Sequence, residues 1–382
     1  YYWPCENFEG AKISLSINTG CFVEVDNCAH ITFDGVIIEN LVSGGDIETK
    51  EDAYTRIVNN YIHDFCEIYV TAVGIRIEGC GFLVAHNEIC GGPHDAIVSE
   101  AADCIIEYNN IHNVCSEVPD SGAVYSGAAY HHGGSVYRYN YIHDIVGRAG
   151  RSAGNGIYID DTECFRTAYS NILVNITGNG LALGGGRNLT FYNNVLVNTN
   201  GVSLDRRGET WYPSSQILYP DARLRKPIAD VDLFDSVWKY AQPEMLVILE
   251  MRATPELLSL KGITGDLMDS PAPPSYFNFY GNIGLGESVC TVSEEKDHVF
   301  NRNNYLVLNG VEGDTDPASP RMDSAAYRFG SVHDNLGYTE EIASDVFVDP
   351  ANGNFFLKED SRVYRDILGF EKWDYSLIGP QK

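Results

Sequence analysis

Asn60-Tyr-Ile-His63 is the first copy of a motif that recurs through the first half of the chain. Each copy begins with asparagine and continues with mostly apolar residues. The later copies are Asn87-Glu-Ile-Cys90, Asn109-Asn-Ile-His112, Asn140-Tyr-Ile-His143, Asn171-Ile-Leu-Val174 and Asn194-Val-Leu-Val197, with an echo from Asn282 to Asn304. The asparagines are 27, 22, 31, 31 and 23 residues apart in the main series and 22 apart in the echo. A period near 22 residues is typical of one coil of a solenoid.

A second short segment, usually opened by glycine, accompanies each copy. These segments are Gly74-Ile-Arg-Ile-Glu78, Asp95-Ala-Ile-Val-Ser99, Gly122-Ala-Val-Tyr-Ser126, Gly156-Ile-Tyr-Ile-Asp160, Gly180-Leu-Ala-Leu-Gly184 and Gly201-Val-Ser-Leu-Asp205. These segments are as short as β-strands, and apolar residues alternate along them as they do in strands. A coil built from such strands buries its inward face only when it stacks on other coils. The sequence therefore predicts an all-β fold, a right-handed parallel β-helix, with the asparagines in a hydrogen-bonded ladder at one turn.

Charge limits the classes of partner. The 382 residues include 53 acidic and 26 basic side chains, a net charge of −27. Such a surface repels nucleic acid and anionic lipid, so we expect neither as a partner, and no apolar run is long enough for a transmembrane helix. The 10 cysteines form no CxxC pair, which favours buried thiols in a reducing or anaerobic setting over a disulfide framework. The pattern gives no oligomeric state.

The repeat also predicts the domain organisation. We expect β-helix coils over 1–206, an inserted helical subdomain over 207–275, returning coils over 276–334, and a C-terminal cap and tail over 335–382. Apolar stretches at 231–240 and 243–249 favour short helices in the insertion. Segments 346–350 and 352–357 favour two strands joined by a turn. The chain begins at Tyr1 without methionine, so we expect upstream coils and any targeting segment to be missing.

Aligning the segments on their opening residues predicts an outer face. The first and third residues after the glycine would point inward, which includes Tyr125. The second and fourth would form two outward columns, namely Arg76, Ile97, Val124, Tyr158, Ala182 and Ser203, then Glu78, Ser99, Ser126, Asp160, Gly184 and Asp205. Small neighbours on both sides would then leave a hollow around Tyr158 and Asp160, an aromatic ring and a carboxylate suited to a sugar.

Two motifs bear carboxyl groups that could be catalytic. Asp120 precedes the strand at Gly122, and Asp160 and Asp161 end the strand one coil later. Glycoside hydrolysis uses two carboxyl groups about 5–10 Å apart, one of them protonated. The competing interpretation is structural, because Asp-Ser-Gly is a common turn and Asp-Asp after a strand is often a solvated one.

The remaining polar candidates are histidines and arginines. Three histidines recur at one coil position, which favours a structural role; these are His63, His112 and His143. His94, His131 and His132 lie outside that series and could either contact substrate or have a structural role in a loop. Arg187 and Arg206 could either contact substrate or offset nearby carboxylates. No HxH, HExxH or paired Cys/His spacing indicates zinc, so the sequence predicts neither metal nor cofactor.

Several motifs together resemble bacterial right-handed β-helix glycoside hydrolases, above all glycoside hydrolase family 141. They include Gly-Pro-His-Asp-Ala-Ile97, Asp-Ser-Gly-Ala-Val-Tyr125, Gly-Ile-Tyr-Ile-Asp-Asp161, Gly-Gly-Gly-Arg-Asn188 and the tail Phe-Val-Asp-Pro-Ala-Asn-Gly-Asn-Phe-Phe-Leu357. The resemblance covers about 1–205 and 276–382. It implies an α-L-fucosidase or xylanase acting on plant cell-wall glycans.

The resemblance also implies two catalytic aspartates. Carried over by motif, they fall on Asp120 and Asp161, with Asp160 the alternative that the column alignment favours. Two other functions remain open on the same fold. A polysaccharide lyase or pectinase would need a basic proton acceptor, often with calcium, and the acidic surface disfavours its anionic substrates. A non-catalytic adhesin or tailspike-like protein would bind glycan without cleaving it.

Overall fold

The computed structural model describes residues 21–39, 47–66, 70–127, 132–147, 154–161, 163–204, 275–285, 290–292, 297–302, 305–307, 331–333, 336–338 and 343–381. Within them the chain winds through three parallel sheets, one strand of each per coil, so that it forms a parallel β-helix. None of the described helices is long and apolar enough to cross a membrane.

Strands are numbered in chain order. Sheet A contains β1 (Val23–Asp26), β4 (Ile47–Lys50), β5 (Asp52–Ala53), β8 (Ile75–Cys80), β11 (Ile97–Ala102), β14 (Gly122–Gly127), β17 (Asn155–Asp160), β20 (Leu181–Leu183), β23 (Val202–Leu204) and β26 (Cys290–Val292). Sheet B contains β2 (Thr32–Asp34), β6 (Arg56–Val58), β9 (Leu83–Ala85), β12 (Ile105–Glu107), β15 (Val136–Arg138), β18 (Thr167–Tyr169), β21 (Thr190–Tyr192), β24 (Ser275–Tyr280), β27 (Asp297–Arg302) and β29 (Ser331–His333). Sheet C contains β3 (Ile37–Glu39), β7 (Tyr61–His63), β10 (Glu88–Cys90), β13 (Asn110–His112), β16 (Tyr141–Ile145), β19 (Ile172–Ile176), β22 (Val195–Val197), β25 (Ile283–Leu285), β28 (Tyr305–Val307) and β30 (Leu336–Tyr338).

An asparagine ladder joins successive coils at the turn that leads into each strand of sheet C. Each Nδ2 donates to Oδ1 of the asparagine one coil later, at 2.9–3.0 Å, through Asn60, Asn87, Asn109, Asn140, Asn171, Asn194 and Asn282. Each Oδ1 also accepts the backbone N–H of the preceding asparagine, as from Asn109 N to Asn140 Oδ1 at 3.1 Å. The predicted ladder is therefore confirmed over these seven residues, whereas Asn304 lies outside the described residues.

The core is a stack of apolar side chains inside the coils. In sheet C one inward column consists of Ile62, Ile89, Ile111, Ile142, Leu173 and Leu196, all at most 2% exposed. A single coil could not shield these residues, and the stacked coils bury them in one continuous cluster. The central residue of each Asn-x-Ile-His copy is the one that supplies this column.

The column alignment predicted for sheet A was wrong by one residue at β11 and β14. Ile97 pairs with Ile75 and Val124, and Tyr125 pairs with Tyr158. Hence Tyr125 points outward, at the position that the alignment gives to Val124. Val124 and Ser126 point inward, although the alignment places both on the outer face. The residue below Asp160 is Gly127, where the alignment had placed Ser126.

The cause of the error is the residue taken as the start of each strand. By extension of the register, the small-residue column is Gly74, Ala96, Ala123, Gly156, Gly180 and Gly201, so that neither Asp95 nor Gly122 belongs to it. A Cβ at Gly156 would lie 2.6 Å from the carbonyl oxygen of Gly180, which explains why this position is kept small.

The C-terminal segment packs along the outside of the solenoid. It comprises α1 (Ala343–Val346), β31 (Phe347–Asp349), a 3-10 turn (Pro350–Asn352), β32 (Asn354–Leu357), α2 (Val363–Asp366) and a second 3-10 turn (Tyr375–Leu377). The two predicted strands are present as the antiparallel pair β31–β32. The segment buries apolar side chains against outward residues of sheet C such as Val174, Val197 and Leu285. The helices predicted at 231–240 and 243–249 lie outside the described residues.

Candidate functional site

The polar residues that could carry chemistry lie on the outer face of sheet A, on β14 and β17. The two strands pair in parallel, which places Tyr125 beside Tyr158 and Gly127 beside Asp160. Because residues two apart on a strand share a face, Tyr158 and Asp160 project on the same side as Tyr125. The corrected register therefore brings two tyrosines and an aspartate together.

Asp160 is a buried carboxyl group with little room around it. It is 3% exposed, and the hydroxyl of Tyr125 donates to its Oδ2 at 3.2 Å. Its neighbours on the two adjacent coils are glycines, Gly127 and Gly184. A Cβ at Gly184 would overlap with Oδ1 of Asp160, so glycine at this position accommodates the carboxyl group.

A second aspartate joins this cluster through the tyrosines. The rings of Tyr125 and Tyr158 meet edge to face, with centroids 5.4 Å apart. The hydroxyl of Tyr158 donates to Oδ1 of Asp120 at 3.3 Å. Asp120 is exposed, whereas Tyr158 is only 5% exposed. Two carboxyl groups, one buried and one exposed, are thus linked through a contacting tyrosine pair.

The segment that carries Asp120 is held by the coil before it. The carbonyl oxygen of His94 accepts the backbone N–H of Cys115 at 3.0 Å, and that of Pro93 accepts the N–H of Glu117 at 3.1 Å. At the far end, Oδ1 of Asp95 accepts the N–H of Gly122 at 2.7 Å. These contacts fix both ends of the loop before β14, so Gly-Pro-His-Asp95 positions the Asp-Ser-Gly motif.

Several carboxyl groups surround the hydroxyl of Tyr125. Burial, then the charges that Asp160, Asp161 and Asp95 carry when ionised, raise the pKa of Tyr125 far above its usual value. The phenol therefore stays protonated and can donate a hydrogen bond at any physiological pH. Asp161 is half-buried and follows β17 with a φ of 41°, a turn conformation that bends the chain away from the strand.

The other predicted site residues have different surroundings. His94 is largely buried beside the cluster, with Nδ1 3.0 Å from Oδ2 of Asp95. His132 lies near the fully buried Glu163–Arg166 ion pair, with Nδ1 3.9 Å from Oε1 of Glu163. Arg187 is 7% exposed and its Nε donates to Oδ1 of Asn188 at 3.2 Å. His131 and Arg206 lie outside the described residues.

Sequence reasoning missed two members of the cluster, Tyr125 and Asp95. Tyr125 was predicted to point inward because β14 was aligned on Gly122. The alignment places Asp95 at the start of a strand, whereas in the structure it is 3% exposed and its Oδ1 accepts the backbone N–H of Gly122 on the next coil. The available signal was the series of small residues that includes Ala96 and Ala123, since aligning on them gives the observed register.

A different group of side chains, on sheet C, has donor types that suit a metal ion. The ligand atoms of Glu88, Cys90 and His112 all lie within 4.8 Å of one another, and all three residues are half-buried. This group was not predicted, because its members come from two coils and match no short motif.

One comparison with known proteins decides the family. The model of the right-handed β-helix region matches residues 1–196, which is just over half of the chain. The chain belongs to the right-handed β-helix family. The match confirms the predicted fold class and agrees with the stacked parallel sheets. Right-handed β-helices include glycoside hydrolases, lyases and carbohydrate-binding proteins, so the family alone leaves the reaction open. No curated protein matches the chain.

Proposed function

We propose that this β-helix is a glycoside hydrolase that cleaves plant cell-wall or related polysaccharides. The observation that carries the proposal is the pair Asp120 and Asp160, one exposed and one buried, each accepting a hydrogen bond from one of two contacting tyrosines. Two carboxyl groups in unlike environments are what acid–base cleavage of a glycosidic bond requires.

The environments suggest the roles. A buried carboxyl group beside other acidic groups retains its proton more readily than a solvated one. We therefore infer that Asp160 protonates the leaving oxygen and that the exposed Asp120 acts as base or nucleophile. Asp161 is the alternative to Asp160, because the motif resemblance favours it and its charge also reaches Tyr125.

The shape of sheet A suits an extended glycan. Nine of its strands stack at about 4.8 Å each, which gives an outer face roughly 40 Å long. Tyr125 and His94 are half-buried residues near the carboxyl pair, and we propose that they contact the bound sugar. Because the motifs resemble those of glycoside hydrolase family 141, we propose fucosyl and xylosyl linkages as the first to test.

The test is hydrolysis of fucosyl, xylosyl and galactosyl aryl glycosides and of plant polysaccharides. The parent would be assayed beside Asp120→Asn, Asp160→Asn and Asp161→Asn. We expect Asp120→Asn and Asp160→Asn to lose at least about 100-fold in kcat/KM, since each removes an acid–base group. Asp26→Asn on β1 is the matched control, because Asp26 is an exposed aspartate of the same sheet.

The products distinguish the alternatives. A hydrolase releases a new reducing end, a lyase leaves an unsaturated, ultraviolet-absorbing end, and a binding protein leaves neither. Loss in Asp161→Asn together with normal rates in Asp160→Asn would move the acid role to Asp161. Parent-like activity in both Asp120→Asn and Asp160→Asn, or glycan binding without any cleavage, would refute the proposal.

A further inference from the structure

One outward column of sheet C is rich in residues that can ligate metals. Five consecutive coils place Glu39, His63, Cys90, His112 and His143 at paired positions. The rings of His112 and His143 stack with centroids 4.9 Å apart, so this part of the column is closely packed. The column is on a different sheet from the carboxyl pair of the candidate active site.

Three donors converge at the middle of this column. Glu88 and Cys90 are two apart on β10 and therefore project on the same side, and Cys90 is paired with His112 on β13. Oε1 of Glu88 lies 3.3 Å from Nε2 of His112, and the three ligand atoms fit within 4.8 Å. Donors bound to one tetrahedral ion at about 2.0–2.3 Å are roughly 3.3–3.8 Å apart, so small side-chain movements would suffice.

We propose that Glu88, Cys90 and His112 bind one divalent transition-metal ion of the zinc class. A thiolate, an imidazole and a carboxylate are the ligand types that such ions combine, whereas calcium and magnesium take oxygen donors. Water would complete the coordination, since all three residues are partly open to solvent. On binding, the thiol of Cys90 would release its proton to solvent, and Nε2 of His112 would bind in its unprotonated form.

The surrounding residues suit this chemistry. The side-chain amide of Asn113 lies 2.9 Å from Nδ1 of His112. An amide flip, which exchanges oxygen and nitrogen at nearly the same positions, would let Oδ1 accept a hydrogen bond from Nδ1–H and leave Nε2 for the metal. On the coil before, Tyr61 is paired with Glu88, and its hydroxyl hydrogen bonds to the sulfur of Cys90.

The position of the three residues on rigid strands also favours binding. Backbone pairing fixes the spacing between β10 and β13, so ligand binding orders only side chains. A site that is already assembled loses little conformational entropy when the ion binds. The repeat thus provides at this point what a CxxC or HExxH motif provides in other folds.

The probes for the test are Zn²⁺ and Co²⁺ alone, added to chelator-treated full-length protein. We expect one Zn²⁺ per chain by calorimetry and a near-ultraviolet thiolate-to-cobalt band with Co²⁺. Cys90→Ser and His112→Gln should each weaken Zn²⁺ binding by about 100-fold, and Cys90→Ser should abolish the cobalt band. Zn²⁺ should also protect Cys90 from alkylation.

The controls separate binding from folding. Cys80→Ser alters another half-buried thiol, at the end of β8, and should bind Zn²⁺ as the parent does. Each variant's metal-free thermal unfolding would be compared with that of the parent, so that loss of fold is recognised. A stoichiometry well below one, a Kd weaker than about 1 mM, or unchanged Zn²⁺ binding in a folded Cys90→Ser would overturn the proposal.

Discussion

Gly184 lies against the carboxyl group of Asp160 on the preceding coil, and any side chain at position 184 would occupy the space of Oδ1. The backbone N–H of Gly184 also donates to the carbonyl oxygen of Ile159 at 2.8 Å, so the backbone has no freedom to withdraw. On the other side lies Gly127, where a Cβ would be 3.3 Å from the Cβ of Asp160, a tight contact without overlap. The two glycines therefore determine where this carboxyl group can be.

Gly184→Ala should lower activity while the fold persists. The added methyl would displace the carboxyl group of Asp160 and disturb its hydrogen bond from Tyr125, and a shift of about 1 Å at a catalytic group can cost about 100-fold in rate. The measurement is kcat/KM on the substrate identified for the parent, with thermal unfolding of the same sample. Gly35→Ala is the control for the backbone strain of a glycine replacement far from Asp160, because Gly35 has a φ of 71° and a Cβ there would meet no atom within 4 Å. Full activity in Gly184→Ala would argue against a catalytic Asp160.

Asn140→Ala should destabilise the fold by about 2–4 kcal/mol. Asn140 is completely buried; its Nδ2 donates to Ile106 O and Asn171 Oδ1, and its Oδ1 accepts from Asn109. Truncation would leave these buried groups without partners, at about 1–3 kcal/mol each, partly relieved by relaxation. Urea unfolding measures the loss. Asn110→Ala, at the half-buried residue that follows Asn109 of the ladder, should cost less than about 1 kcal/mol, and equal costs for Asn110→Ala and Asn140→Ala would contradict the ladder's importance.

The fold was predictable because its repeat is local and periodic. The asparagine ladder was predicted from the spacing and is present, and isoleucines predicted to point inward, such as Ile75, Ile77 and Ile157, are buried. Register was harder, since a one-residue shift moves every side chain to the other face. Taking Gly122 as the first residue of its segment moved Tyr125 from the outer face to the core, although Ala123 was the true equivalent of Gly156.

The candidate sites depend on contacts between coils, which no short motif encodes. Asp120 and Asp160 were found from carboxyl-bearing motifs, but the Tyr125–Tyr158 contact that links them depends on the register of two coils. Similarly, Cys90 and His112 are 22 residues apart, a full coil, so that motif spacing within one segment cannot reveal their proximity. Spacing by multiples of the coil is the signal to search for in such proteins.

The stability of the fold should fall as the pH is lowered through the range in which His143 titrates. Burial lowers the pKa of His143 below its usual 6.5, against the opposing effect of Asp144, while His112 lowers it further and Glu88 raises it. Below about pH 6.5 the unfolded chain therefore binds more protons than the folded chain. The contribution of His143 to the free energy of unfolding is complete above that pH and is lost as the pH falls below it. His143→Gln should flatten this part of the profile of unfolding free energy between pH 7.5 and 5.5. His30→Gln, at an exposed position, is the control, and a slope unchanged in His143→Gln would contradict the prediction.

The tail after α2 should stabilise coils that are distant in sequence. The ring of Trp373 packs against Tyr108 and Tyr139, with centroids 6.0 and 5.3 Å away. Further along, the carbonyl oxygen of Leu377 lies 2.7 Å from Nδ1 of His86, and the N–H of Gly379 donates to Tyr108 O at 2.8 Å. Because these contacts join the tail to three successive coils, the coils and the tail should unfold together.

Trp373→Ala should therefore lower the free energy of unfolding by about 1–3 kcal/mol, less than a fully buried tryptophan costs because this ring is partly exposed. Hydrogen exchange should also accelerate at the amides of residues 108–112 and 139–142, which lie under the tail. Leu368→Ala is the matched control, since Leu368 is 99% exposed in the same segment and should change neither measurement. If exchange rises only within residues 370–381, the tail is an appendage of the coils and does not stabilise them.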